Sequence, residues 1–324
     1  MKRMMITLGA MALAATFASH AEELPVENET AAPETTEVAT AEPEATESER
    51  AAASEAAEEE DEASSLFEVS LALDVKSAYV SHNRIFSDTP VAQYDLWMQF
   101  NLPENFGWLA FDVWASQELN KRHSSPSRGN GGKQFGGIGE FDYEIVYGNS
   151  IGPVNFTMSH LWYTYPRCTH KGDSGKWSSQ KFWTVGVEYD NEFVVPSVKF
   201  YWEYAHENKP DEAFMIDFAL SKGFELTEDL SLTLTSKTTL YTSQYAKYIS
   251  DGALTDTVFG GWDNGVALNY ALTDNISLGA NLNYLYKLDH RVRHAEGWDS
   301  YSVGGSHGTH DGLVYGGVSA SLSF

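Results

Sequence analysis

The sequence predicts an all-β fold: a transmembrane, antiparallel up-and-down β-barrel of about twelve strands, preceded by a disordered acidic segment. Three observations predict it. Stretches of alternating apolar and polar residues recur from residue 65 to the end of the chain. Short, turn-like connections alternate with longer polar ones. The last stretch, 313–324, ends on an aromatic residue, Phe324.

The first 21 residues have the features of a secretory signal peptide. Lys2 and Arg3 precede an apolar run over 4–17, and small residues stand at positions 19 and 21. The apolar run is shorter than the roughly 20 residues that a membrane-spanning helix needs. We therefore expect residues 1–21 to direct export and to be removed.

Residues 22–64 form a segment rich in Ala, Glu, Thr and Pro. It contains 16 acidic residues and one basic residue, Arg50, and it has no aromatic residue. Such a composition cannot bury enough apolar surface to offset the entropy lost on ordering. The segment is predicted to be a disordered periplasmic spacer; the alternative is an acidic arm that gathers cations or binds a basic partner.

The region 65–324 is predicted to be the barrel. In its first stretch Leu71 and Leu73 point to one side and Ser70 and Asp74 to the other, as in a strand with one apolar face. The same pattern predicts twelve strands, at 68–80, 92–100, 109–115, 141–147, 154–162, 183–189, 198–204, 214–220, 230–240, 266–272, 276–286 and 313–324. An even number places both ends of the barrel on one side of the membrane.

The connections support the same topology. Those predicted to be periplasmic turns are short: 102–105, 148–153, 190–196, 223–229 and 273–275. Those predicted to be external are mostly longer and rich in His, Gly and Ser: 81–90, 120–138, 165–180, 207–212, 243–260 and 288–310. Regular alternation in length is typical of outer-membrane barrels.

The last predicted strand has Val318, Ala320, Leu322 and Phe324 on one face and serines on the other. A strand like this cannot remain as a free edge in water, so we expect it to close the barrel. It resembles the terminal signal of Gram-negative outer-membrane barrels. That resemblance implies that Phe324 and Leu322 are read by the barrel-assembly machinery.

The segment 72–100 resembles the opening hairpin of a family of porin-like outer-membrane barrels whose solute is unassigned. The matching residues are Asp74, Ser77, Tyr79, Val80, Asp88, Pro90, Val91 and Gln93. Members of the family often carry Arg-Gly in the loop, where this chain has His82-Asn83-Arg84. The resemblance implies residence in the cell outer membrane, and it implies no catalytic residues.

If the apolar faces point to lipid, the lumen is acidic. The inward set contains eleven acids and four lysines: Glu68, Asp74, Asp95, Asp112, Glu118, Glu140, Asp142, Glu144, Glu188, Glu203 and Asp217, with Lys76, Lys199, Lys237 and Lys287. This balance favours cations. We predict selectivity from Glu140, Asp142 and Glu144, with Asp74, Asp95 and Asp112. The alternative is a solvated wall whose charges are paired across strands.

Inward Trp97, Trp114 and Tyr201 indicate a lumen that is narrowed or partly filled.

The predicted function is a porin-like channel for passive passage of small polar or cationic solutes, and not an enzyme. Two alternatives stand beside it. One is a non-conducting structural barrel of the cell surface. The other is a lipid hydrolase using His123 and Ser125, because outer-membrane phospholipases have a His and a Ser two residues apart.

The predicted partners are outer-membrane lipids, the barrel-assembly machinery and small polar solutes; we expect no nucleic acid, and the oligomeric state is left open. No cofactor or metal is predicted. His290 with His294, and Cys168 with His170, have spacings that a metal site could use, but strict zinc signatures are absent. The single cysteine of the chain cannot form an internal disulfide.

Overall fold

A computed structural model describes residues 66–103, 106–119, 138–165, 178–206, 213–250, 252–295 and 311–324. Its fourteen strands in chain order are β1 (Phe67–Lys76), β2 (Tyr79–Ser81), β3 (Arg84–Ser87), β4 (Val91–Asn101), β5 (Trp108–Glu118), β6 (Ile138–Ile151), β7 (Val154–Tyr165), β8 (Ser178–Tyr189), β9 (Val195–His206), β10 (Ala213–Glu225), β11 (Leu230–Tyr241), β12 (Val258–Ala271), β13 (Ile276–Tyr286) and β14 (Gly312–Ser323). Its two short helices are α1 (Ser243–Ile249) and α2 (His290–His294).

Twelve of these strands, β1 and β4 to β14, pair as antiparallel neighbours in one closed barrel. The first and last strands close it, with Leu71 opposite Leu322 and Asp74 opposite Ser319. The predicted twelve-stranded barrel is therefore confirmed. Closure leaves no unpaired sheet edge, which a strand structure in lipid requires.

The barrel has its apolar face outside. On β1 the side chains of Leu71, Leu73 and Val75 are exposed, whereas those of Asp74 and Lys76 are buried. The same division continues around the sheet: the exposed large side chains are mostly Leu, Val and aromatic residues, and carboxylates and hydroxyls dominate the buried polar set. This is the reverse of a protein that folds around an apolar core in water, and it fits a barrel surrounded by lipid.

Both ends of the described barrel lie on the side of the short turns, as predicted. Phe324 donates its backbone N–H to Val69 O at 2.9 Å, and Val69 N–H donates to Phe324 O at 3.2 Å, so Phe324 belongs to the closing seam. Leu322 pairs with Leu71 on one side and with Ile276 on the other. The recognition of these two residues by the assembly machinery stays a prediction.

His160 is an unusual residue for a lipid-facing position. The pairing of β7 is regular there, with Ile145 and Trp183 as its neighbours, so no bulge turns the ring inward. The imidazole lies 3.8 Å from the ring of Trp162 and 4.4 Å from that of Trp183, and it hydrogen-bonds the hydroxyl of Tyr204. Aromatic residues of this kind form the girdles at membrane interfaces, and His160 lies within such a group.

Three sequence predictions about element bounds and loop placement are wrong. The first strand was predicted over 68–80, but β1 ends at Lys76, and Tyr79 belongs to a separate hairpin, β2–β3. The connection 81–90 was predicted to be external, but this hairpin folds into the barrel. Strand β12 begins at Val258, whereas the predicted strand began at residue 266. Two consecutive glycines, 260 and 261, give the start of β12 the composition of a loop.

Several predictions concern residues outside the described part of the chain. These are the signal peptide 1–21, the acidic segment 22–64, His123 with Ser125, and Cys168 with His170. They stay predictions. No helix among the described residues is both long and apolar enough to cross a membrane.

An arginine on the outer face should destabilise the barrel far more than an arginine in the lumen. Leu71, which is 44% exposed on the outside, gives the test variant Leu71→Arg. Near mid-membrane an unpaired cation costs about 2–4 kcal/mol. We expect a fall of that size in the free energy of unfolding, measured by a folding titration in lipid vesicles. The adjacent Ser70 faces the lumen, so Ser70→Arg should be tolerated; equal losses in the two variants would contradict the assignment of the faces.

Candidate functional site in the barrel lumen

A hairpin enters the lumen between the first two barrel strands. Strands β2 and β3 are joined by His82 and Asn83, whose φ angles of 48° and 57° both lie in the left-handed region. Positive φ at both central residues is the requirement of a type I′ turn, which favours Asn and Gly. The tip of the hairpin is enclosed, since His82 is 6% exposed and Asn83 is 1% exposed.

Contacts with strands β10 and β11 hold the tip against the opposite wall. His82 Nδ1 lies 3.0 Å from Asp217 Oδ2, and Asn83 Oδ1 accepts the backbone N–H of Thr239 at 2.5 Å. The hydroxyl of Tyr241 donates to the carbonyl of His82. We name these five residues, His82, Asn83, Asp217, Thr239 and Tyr241, the hairpin clasp. It ties a loop from one side of the barrel to the far side.

Asp217 is the centre of the clasp. In addition to its contact with His82, the Asp217 carboxylate accepts a hydrogen bond from the Thr239 hydroxyl at 2.6 Å. It also forms an ion pair with Lys237, whose Nζ lies 3.0 Å away. The ammonium of Lys237 compensates the buried carboxylate, whose charge would otherwise be costly in this environment. A charge-compensated network of hydrogen bonds around Asp217 favours a single position for the hairpin.

The imidazole of His82 lies in the turn, outside the spanning strands, and burial lowers its pKa in spite of the adjacent Asp217. Its Nε2 is 3.4 Å from the hydroxyl of Tyr163, and its ring meets that of Tyr201 edge-on at 4.8 Å. The neutral ring satisfies both bonds when Nδ1 carries the proton: Nδ1–H donates to Asp217 and Nε2 accepts from Tyr163.

Apolar contacts hold the body of the hairpin. Val80 and Ile85 pack with Leu285 of β13 and Tyr315 of β14 in one buried cluster. Gly261 of β12 lies beside the tip of the hairpin. A Cβ there would make an ordinary contact of 3.5 Å with Cβ of Asn83, but it would lie only 2.9 Å from a backbone oxygen of β13. The hairpin is thus packed against β12 to β14 and clasped to β10 and β11.

Helix α1 covers the external side of the same region. Its Tyr245, Ala246 and Ile249 are buried in an apolar cluster with inward side chains of β7 to β11 and with Val292 of α2. Arg291 links the connection that follows β13 to the connection between β11 and β12, since it binds Asp289 at 2.6 Å and Asp256 at 2.8 Å. The hydrogen bond from Arg291 lowers the pKa of Asp289. The described external loops therefore occupy part of the lumen next to β7 to β11.

On the side of β10 to β14, the periplasmic half of the lumen is lined by smaller side chains. On β10 to β14 the inward residues at this level include Ser221, Thr233, Thr235, Asn281 and Ser319. Thr235 is exposed to solvent although it points inward. These small polar side chains leave room for water on this side of the lumen.

A cavity lies between the hairpin and the acidic wall formed by β4 to β6. The register of β4 to β6 brings the carboxylates together, with Asp112 opposite Glu144 and Trp114 opposite Asp142. The space open to the centres of water-sized molecules in this cavity is about 40 Å³. Its lining comprises Tyr79 and Ser81 of the hairpin, Asp95, Asp112, Asp142 and Glu144, the apolar or aromatic Trp114, Leu161, Tyr163 and Tyr201, and Lys199.

Lysines compensate part of the interior charge. Lys199 binds Glu144 at 3.4 Å and Lys76 lies 3.9 Å from Asp74, while Lys237 serves Asp217 in the clasp. Within the cavity, one oxygen of each of three carboxylates has no hydrogen-bond partner: Oδ1 of Asp95, Oδ1 of Asp112 and Oδ1 of Asp142. The cavity wall therefore contains four carboxylates and one ammonium.

The predicted site residues are not all in one place. All eleven acids assigned to the lumen are buried or half-buried. Asp95, Asp112, Asp142 and Glu144 line the cavity, whereas Asp74 and Glu140 do not. Phe324 and Leu322 lie at the closing seam, away from it. The roles of the six acids in selectivity stay a prediction.

Sequence reasoning missed the clasp and one interior acid. The signal for the hairpin was present, because polar His82-Asn83 stands between the apolar pairs Tyr79-Val80 and Ile85-Phe86. Asp263 was missed because it lies in the part of β12 that reads as a loop; it accepts the hydroxyl of Tyr315 at 2.5 Å. Among the described residues, no group of three or more His, Cys, Asp and Glu side chains could hold a metal ion.

A closed antiparallel barrel with a lipid-compatible exterior and a polar, charged interior defines a β-barrel protein of the cell outer membrane. No family model matches the sequence, and no curated protein matches it. Among solved structures the chain is similar to the NanC porin, with 11% identity, a TM-score of 0.43, and coverage of 78% of this chain and 98% of NanC.

Two further solved structures show similarities of the same order. An active-site mutant of outer-membrane phospholipase A from Escherichia coli is 11% identical, with a TM-score of 0.41 and coverage of 78% of this chain and 89% of that one. OmpT, an outer-membrane protein of Vibrio cholerae, is 10% identical, with a TM-score of 0.38 and coverage of 80% and 97%.

Proposed function

We propose that this protein is an outer-membrane channel for the passive passage of small cationic solutes. One observation carries the proposal: the cavity beside the hairpin has four carboxylates and one ammonium in its wall. Lipid and the protein sheet form low-dielectric surroundings, so this charge acts strongly on an ion at the level of the cavity. Cations are attracted there and anions are repelled.

The structure favours a narrow passage over a wide pore. The hairpin and helix α1 occupy part of the lumen, and Trp97 and Tyr201 are buried inside the barrel. A route through the barrel must then follow the acidic wall, so solutes meet the carboxylates at short range. In this proposal the protein is not an enzyme, and its partners are lipids, the assembly machinery and the solutes, with the oligomeric state left open.

The second candidate is a non-conducting barrel with a structural role. The clasp is the observation that favours it, because a hairpin fixed across the lumen and covered by α1 could close the barrel completely. The two candidates differ in a direct measurement.

Purified full-length protein inserted into planar bilayers should give discrete steps of conductance. In a gradient of potassium chloride the reversal potential should have the sign of a cation-preferring pore, and the preference should weaken as salt rises, because the Debye length is about 10 Å at 0.1 M. Correctly folded, heat-modifiable protein without conductance steps would favour the non-conducting barrel. An anion-preferring reversal potential would overturn the proposal.

A further inference from the structure

The cavity beside the hairpin combines carboxylates with aromatic rings, and this combination points to a ligand more specific than an inorganic cation. Tyr79 of the hairpin and Trp114 of β5 have ring centroids 5.4 Å apart, and Tyr163 and Tyr201 also line the cavity. Aromatic faces attract ammonium groups and also pack against the carbon atoms that such groups carry. Carboxylates alone are enough to repel anions, so the aromatic rings indicate a further role for the cavity.

Lys199 shows how this cavity holds an ammonium group. Its Nζ lies 3.4 Å from Glu144 Oε1 and 5.2 Å from the centroid of the Tyr201 ring. The group therefore has a carboxylate on one side and an aromatic ring on another. A carboxylate and an aromatic ring are also neighbours at a second place in the cavity, where Asp142 of β6 is opposite Trp114 of β5.

The carboxylates beside Trp114 have acceptor capacity that the protein does not use. Asp112 and Asp142 are 6% and 5% exposed, and in each of them Oδ1 has no hydrogen-bond partner. A buried acceptor without a partner costs about 1–3 kcal/mol, and more when it is charged. The close carboxylates Asp95, Asp112 and Asp142 can be ionised together only when a cation compensates them. A bound ammonium group would donate N–H bonds to the unpaired oxygens, and its positive charge would compensate the carboxylates.

We propose that the cavity is a binding site for small primary-ammonium compounds, whose N–H groups bind Asp112 and Asp142 and whose carbon atoms pack against Trp114 and Tyr79. This inference rests on the proposed function, since it names the class of solute that would pass. Four side chains carry it, and they come from β5, β6 and the clasped hairpin. An ammonium bound there would therefore contact both the wall and the loop.

Ethylammonium is a suitable probe, with ethanol as the neutral compound of similar size and potassium as the inorganic cation. The full-length protein is refolded in nonionic detergent, and binding is measured by isothermal titration calorimetry. We expect ethylammonium to bind, ethanol not to bind, and potassium to bind more weakly. Asp142→Asn and Trp114→Leu should each lower the affinity for ethylammonium; the loss for Asp142→Asn should be about tenfold or more, because it removes a charged hydrogen bond.

Asp263→Asn is the matched control, because it neutralises a half-buried interior carboxylate on β12 that does not line the cavity. It should leave the affinity unchanged, and heat-modifiable gel migration establishes folding for every variant. Absence of ethylammonium binding to the folded wild type would overturn the inference, as would equal affinity for potassium or an unchanged affinity in Asp142→Asn. Calorimetry does not depend on conduction, so binding without conductance would refute only the proposed channel, and conductance without binding only the inferred site.

Discussion

Weakening the hairpin clasp should increase the unit conductance of the barrel. The double variant Asn83→Ala and Tyr241→Phe removes the acceptor of the Thr239 N–H and the donor to the His82 carbonyl. Each loss leaves a buried polar group without its partner, at a cost of about 1–3 kcal/mol. The ratio of docked to undocked hairpin then falls by roughly an order of magnitude or more for each change.

The left-handed turn adds to this effect. Asn83 has φ of 57°, a conformation that asparagine tolerates better than alanine does. In the double variant the turn loses its hydrogen bond with Thr239, and it also loses asparagine, the residue that suits this conformation. We expect larger conductance steps in planar bilayers and faster amide hydrogen exchange over residues 79–87, which reports undocking independently of conduction.

The matched control is Asn269→Ala with Tyr147→Phe. Asn269 is also buried inside the barrel, and Tyr147 also donates its hydroxyl to a backbone carbonyl, that of Phe106 at 3.0 Å. Neither residue belongs to the clasp. The control should leave exchange in the hairpin near the wild-type rate; unchanged exchange and conductance in the clasp variant as well would show that these contacts do not hold the hairpin.

The barrel could be predicted from the sequence because period-two alternation is a local property. Alternation within one strand is enough to predict that Leu71 and Leu73 face lipid and that Asp74 faces the lumen. The length of a connection likewise predicts on which side of the membrane it lies, whatever the packing inside the barrel. The prediction failed where local composition is ambiguous. The two glycines at the start of β12 indicated a loop, although Gly261 belongs to the strand and permits its close approach to β13.

The clasp could not be predicted, because its parts are far apart in sequence. His82 and Asp217 are separated by 135 positions, and Asn83 and Thr239 by 156. Nothing in the segment 81–90 alone says whether a polar hairpin turns outward to water or inward to a polar lumen, since both environments satisfy its groups. The acid set was predictable by alternation, whereas the way lysines divide among the acids depends on side-chain reach across strands.

The acidic wall should control ion preference. The triple variant Glu140→Gln, Asp142→Asn and Glu144→Gln removes three carboxylates that lie on one face of β6. Loss of Glu144 also leaves the ammonium of Lys199 without its ion-pair partner at 3.4 Å, which moves the local charge further toward positive. The fold should persist, since these side chains point away from lipid.

The reversal potential in a potassium chloride gradient, compared between wild type and this triple variant, tests the central claim most directly. A triple variant with Glu68→Gln, Glu188→Gln and Asp263→Asn is the control, because it removes the same number of interior carboxylates away from the cavity lining. We predict a cation-preferring potential in the wild type, a large move toward zero or beyond in the wall variant, and a smaller move in the control. A wild-type potential of anion-preferring sign, or equal values for the wild type and the wall variant, would contradict the account.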